Sequence, residues 1–254
     1  MWRAANSARG TTMRCMRCKK AVIIGGAPAL PPEAEQRVDA SVRVRGVDVV
    51  TRCSPAFAPL AESLMARFER SASVNDGDVF AWGPIPVFLR SEGAGLRVCE
   101  PDMRLKDARA RPNVDLTNAL SVNAFLGQLH EHLGVEASEF TLMNLLLTFG
   151  GALDMPKVHL FRKFPPHDLP NGSRESGWYL GPNPNELATL RPDGATREDY
   201  KLEMIFELYH RRPLIVAALG LPMQFIALIE GNRVTHVVDP RGDVAWTPAA
   251  GKGS

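Results

Sequence analysis

Between residues 41 and 53 the chain alternates, Val-Arg-Val-Arg and then Val-Asp-Val-Val on either side of Gly46. That period of two predicts a pair of strands, or one bulged strand, with a wet face. After Ser54 the period lengthens: Leu60, Leu64, Met65 and Phe68 share one face of a helix that Ser54 can cap. Asn75-Asp-Gly-Asp reads as a turn. Three strands follow at residues 79–82, 85–90 and 96–100, with Glu92-Gly-Ala-Gly95 turning a hairpin. Residues 104–112 are charged and poor in apolar side chains, as in an exposed loop. A second helix, capped by Asp115 or Thr117 and running to Gly134, would bury Leu120, Val122, Phe125, Leu126, Leu129 and Leu133. Residues 140–149 are apolar enough for either a buried helix or a strand, and residues 157–162 alternate as a strand.

Glycines and prolines then crowd residues 164–185, which predicts irregular chain with at most a brief strand at 178–180. A third helix is expected over 197–211, with Tyr200, Met204, Ile205 and Leu208 on one face. The chain closes on a hairpin of residues 224–229 and 234–238, turned by Glu230-Gly-Asn232, and no internal repeat is present. The expected fold class is α+β, a mixed or antiparallel sheet with three main helices packed on it. The expected organisation is a basic, disordered tail (1–20), an α+β lobe (21–165) and a second α+β lobe (166–254), with one continuous domain as the alternative.

Composition narrows the class. The chain has 254 residues, 45% hydrophobic and 23% charged, which suits a globular core and neither wholesale disorder nor collagen. Lys+Arg is 30 against Asp+Glu 28, a net +2, without the basic excess of an obligate nucleic-acid binder. The sum hides an asymmetry: residues 1–54 carry ten basic and four acidic side chains, and the rest carries twenty and twenty-four. The basic, acid-free first 32 residues suggest a targeting signal, but Gly25, Gly26 and Pro28 interrupt its apolar stretch. Residues 213–229 are uncharged, yet Gly220 and Pro222 break them midway, so no membrane partner is expected. A short strand at 21–26 does not open a dinucleotide fingerprint, because Ala27 and Leu30 stand where glycines are required. Cys15 and Cys18 form one C-x-x-C without a second pair, so flexible tail thiols and two strand cysteines, Cys53 and Cys99, in a reducing cytoplasm are expected.

The chemistry-bearing residues are sparse. His130 and His132 lie two apart on a helix and point in different directions, so they cannot share a metal ion. Asp76-Gly-Asp78 lacks the remaining ligands of a calcium loop. His159 reads as a packed or edge histidine, and His167-Asp168 as a loop pair with the makings of a relay. No metal or cofactor is expected. The segment Asn171-Gly-Ser-Arg-Glu-Ser-Gly-Trp-Tyr-Leu-Gly181 concentrates the side chains that build interface hot spots, which makes Arg174, Glu175, Ser176, Trp178 and Tyr179 the partner-binding candidates. For Trp178 alone the favoured role is to plug the core, with Arg174, Glu175 and Tyr179 the better contact residues.

The Glu175-Ser-Gly-Trp178 motif, the later Leu219-Gly-Leu-Pro222 segment and the hairpin ending Val237-Val-Asp-Pro240 resemble the bacterial polymorphic-toxin immunity proteins, specifically the immunity protein thirty-three family, over roughly residues 155–240. The sequence departs from the family pattern at Glu175, where Asp is usual, and at Met223, where Gly is usual. The resemblance implies a cytoplasmic α+β protein, without catalysis of its own, that neutralises a cognate toxin by binding it. The alternative is an enzyme with a site near His159, His167, Asp168 and Glu175. A third reading, a module whose basic head touches nucleic acid, is disfavoured by the overall charge.

Overall fold

The computed structural model describes residues 36–102, 112–136, 138, 140–162 and 164–248. The basic tail, the strand expected at 21–26, the Cys15/Cys18 pair and most of the charged loop after residue 103 lie outside those residues. The fold is α+β, and the chain divides into two compact units at Ala124/Phe125.

In the first unit, β1 (Val38–Val44) and β2 (Val47–Cys53) form the hairpin that the alternation predicts. Its two-residue turn holds Arg45 at φ 49° and Gly46 at φ 92°, the positive pair that lets a tight turn follow the strand twist. Ser54 Oγ accepts from the Ala56 N–H and opens a short 3-10 turn ahead of α1 (Ala58–Glu69). Ala61, Leu64, Met65 and Phe68 are the buried face of α1, which packs on β1 and β2, while Leu60 is only half-buried. β3 (Val79–Trp82), β4 (Ile85–Glu92) and β5 (Gly95–Cys99) complete a sheet in the order β1-β2-β5-β4-β3, with β2 and β5 parallel.

The second predicted helix is α2 (Thr117–Leu133). Asp115 Oδ1 accepts the Thr117 N–H at 3.0 Å, and its other oxygen takes Arg37 Nε at 2.7 Å. Glu100, buried at the end of β5, accepts the Ala119 N–H at 3.0 Å, a distant contribution to the helix start that no local pattern announces. Gly134 leaves the helix at φ 63°. Of the predicted stripe, Leu120, Val122, Phe125 and Leu129 are buried, and Leu126 and Leu133 are half-buried.

The second unit is built on a sheet ordered β10-β6-β9-β7-β11-β12-β13, with β8 also paired to β9. Its strands are β6 (Leu145–Phe149), β7 (Lys157–Arg162), β8 (His167–Asp168), β9 (Arg174–Gly181), β10 (Tyr200–Met204), β11 (Ile226–Glu230), β12 (Arg233–Val238) and β13 (Val244–Trp246). Of residues 140–149, where helix or strand stood open, Leu145–Phe149 is strand β6 and the residues before it make a turn; the closing hairpin is β11/β12 as expected. One face of this sheet is core: Leu146, Thr148, Val158, Leu160, Trp178, Leu180, Ala227, Ile229 and Val237 are buried. The uncharged stretch after Arg212 is α5 (Pro213–Val216), a 3-10 turn ending at Gly220, and then β11, buried almost throughout its helical part. A side chain at Gly220 would collide with Leu126. Among the described residues no helix is long and apolar enough to cross a membrane.

Three expectations need correction. The irregular segment around 171–181 holds an eight-residue interior strand, β9, in which Gly177 makes room for a bulge in the neighbouring chain and does not break the strand. The third main helix is largely replaced: after α3 (Pro184–Leu190), residues 197–199 make a 3-10 turn, residues 200–204 are β10, paired to β6, and α-helix is confined to α4 (Ile205–Arg211). Tyr200-Lys-Leu-Glu-Met204 in fact alternates apolar and polar, and pairing at the sheet edge decides the matter. Finally, a lobe boundary at residue 165 would cut β7 away from its partners β9 and β11, and the division falls instead within α2.

Candidate functional site

β9 carries all five residues singled out by sequence, and its geometry sorts them. β7 and β8 pair successively with the same edge of β9: Arg162 faces Trp178, and after an intervening bulge His167 faces Glu175. The bulge brings the Phe164 carbonyl against Gly177, whose φ of 76° and absent side chain make the approach achievable. A Cβ on Gly177 would lie 1.9 Å from that oxygen. Across the strand, Ser176 Oγ donates to the Leu145 carbonyl at 2.7 Å. The Glu-Ser-Gly-Trp motif is therefore the inner side of a β-bulge, with a structural task for each of its last three residues.

Ser176, Trp178 and Tyr179 are all buried, so Tyr179, expected among the better contact residues, offers a partner little surface of its own. The core role favoured for Trp178 holds; its Nε1 finds no acceptor among the described residues. Arg174 is exposed at the start of the strand. Glu175 is half-buried and meets His167 at 3.3 Å. Tyr179 turns to the other face, where its ring lies over Gly181. Burial, helped by neighbouring Tyr200, pushes the Tyr179 hydroxyl up to about 12.

That other face is the main surface feature of the unit. Following the strand registers, Leu202, Leu147, Tyr179, Phe161, Ile226 and Val238 form one row across six strands. Met204, Leu145, Glu175 and His167 lie in the row on one side, and Gly181, His159, Leu228 and His236 in the row on the other. Leu145, Leu147, Phe161, Met204, Ile226, Leu228 and Val238 are only half-buried, and Leu202 is 46% exposed. The aromatic part is organised: Phe161 and Tyr179 rings lie 4.9 Å apart, Tyr179 and Tyr200 6.0 Å, Phe149 and Tyr200 5.9 Å. Apolar surface this continuous on one sheet face is the kind that proteins use for docking. Sequence reading missed it, since its signal is the register of six strands, and only the period-two pattern at 200–204 pointed toward it.

The four residues of the alternative enzyme site do not converge. His167 and Glu175 are in contact, and Asp168 lies beside Arg174 in the strand pairing. His159 pairs with Gly181, six positions along β9 from Glu175. Burial lowers the His159 pKa, opposed by the charge of Glu186. His130 is not on a solvated face as its neighbours are: it is half-buried, held 3.2 Å from the Gly220 carbonyl, with its pKa lowered by burial. Among the described residues no cluster of His, Cys, Asp or Glu has the grouping of a metal site. No known protein family, curated protein or solved structure matches the chain.

Proposed function

We propose that this chain is a non-catalytic immunity-type protein that binds and neutralises a cognate bacterial toxin in the cytoplasm. The observation that carries the reading is the half-exposed apolar row from Leu202 to Val238, which lies on strands 145–238, largely the region of the family resemblance. The occupant is a toxin surface with an apolar patch and a basic surround, since residues 55–254 carry twenty basic against twenty-four acidic side chains. Glu175 and His167 stand at one end of the face as polar contacts. The test is co-expression with the toxin encoded beside the gene, read as growth. Wild type rescues growth, whereas Leu202→Asp and Ile226→Lys fail to rescue while keeping a native circular dichroism spectrum. Equal rescue by those two variants, or no rescue by wild type, refutes the proposal.

A further inference from the structure

Arg162 ends β7 inside the second unit and is 8% exposed. Its Nε donates to the Ser176 carbonyl at 3.2 Å and its Nη1 to Ser138 Oγ at 2.7 Å. Neither acceptor carries a charge, and among the described residues no carboxylate lies within ion-pair distance of the guanidinium. A buried cation normally keeps a counter-charge, because neutral acceptors alone do not repay its lost hydration. Close by stands a second cation without an ion pair among the described residues, Arg174, two positions before Ser176 on β9 and exposed. Burial and the Arg174 charge together lower the Arg162 pKa, so the two guanidiniums are near enough to repel.

We infer that Arg162 and Arg174 form a seat for an oxyanion, a carboxylate or phosphate group, with Ser138 and the Ser176 carbonyl fixing the buried guanidinium. An arginine held by Nε and Nη1 keeps its remaining N–H edge in a fixed plane, the geometry that a two-oxygen anion matches. Arg174 adds the second charge from solvent. This seat does not depend on the toxin reading, because a free anion suffices to test it.

The experiment titrates the full chain with inorganic phosphate and, separately, with acetate, at constant ionic strength set by chloride, and reads the thermal midpoint. Wild type shows a saturable rise with at least one of the two, and which one identifies the oxyanion. Arg174→Gln, an exposed substitution, weakens the apparent Kd about tenfold, and Arg162→Lys does the same because an ammonium cannot present two parallel donors. If Arg162→Lys fails to fold, Arg174→Gln decides alone. A response to neither anion, or the same response in wild type and Arg174→Gln, overturns the inference. So does a response found only in Glu139→Gln, which would mean that the acid next to Ser138 in sequence already fills the seat.

Discussion

Replacing Gly177 by Ala tests the bulge directly, and Gly172 supplies the control. Both glycines sit at positive φ, 76° and 81°. At Gly172 an added Cβ meets nothing within 4 Å, so Gly172→Ala carries only the backbone strain of the left-handed region, about 1–2 kcal/mol, partly offset by about 0.4–1 kcal/mol of lost unfolded-state freedom. At Gly177 the same Cβ lies 1.9 Å from the Phe164 oxygen and 2.8 Å from its carbon, both backbone atoms. The bulge strand must retreat by about an ångström, which strains the Ser176–Leu145 and Arg162–Ser176 hydrogen bonds beside it. Two weakened buried hydrogen bonds add roughly 2 kcal/mol to the strain. Gly177→Ala is therefore expected to destabilise by about 2–3.6 kcal/mol, against about 0–1.6 kcal/mol for Gly172→Ala. Urea unfolding followed by Trp fluorescence gives both values. If the two variants differ by less than about 0.5 kcal/mol, the close approach at Gly177 is not what the glycine serves.

Further predictions concern single groups. Burial pushes the Cys53 and Cys99 thiols up to about 11, so in a Cys15→Ser/Cys18→Ser background neither reacts with a disulfide reagent at pH 8 until the protein unfolds. Burial of the Tyr179 hydroxyl raises its pKa above the unfolded value, so that stabilisation is intact below about pH 10 and is lost as pH rises toward 12. Stability measured across that range should fall less steeply in Tyr179→Phe. Asp115 is held below the usual carboxylate range: burial opposes this, but hydrogen bonds from Arg37 and Thr117 outweigh it. Its contribution is present above the unfolded pKa and lost as pH falls through the lower folded value. Asp115→Asn should cost about 1–2 kcal/mol at neutral pH and flatten the acid limb of an unfolding profile.

Elements whose pairing is local were legible without the fold. The β1/β2 hairpin, β4/β5 and β11/β12 each announce themselves through alternation and a glycine turn, because the strands that pair are neighbours in sequence. The α1 and α2 faces were legible for a similar reason, since a helix writes its buried side at a fixed spacing. β9 was not. Gly177 and Gly181 read locally as breaks, whereas one accommodates a carbonyl from the β7–β8 bulge and the other a tyrosine ring from its own strand. β10 was misread because Tyr200, Met204, Ile205 and Leu208 satisfy a helical spacing that edge pairing with β6 overrides for the first five residues.

The same division holds for the surface. Composition and periodicity by themselves determined an α+β chain with a basic head, a mildly acidic remainder and one segment rich in contact-forming side chains. Tertiary structure alone decided which of those side chains stay accessible, burying Ser176 and Trp178 on one face and Tyr179 on the other, within an apolar row that residues from five other strands complete. The physical reason is register: side chains alternate along a strand, but which β9 residues a neighbour covers depends on its pairing with β6 and β7, and those partners lie far off in sequence, where no local pattern records them.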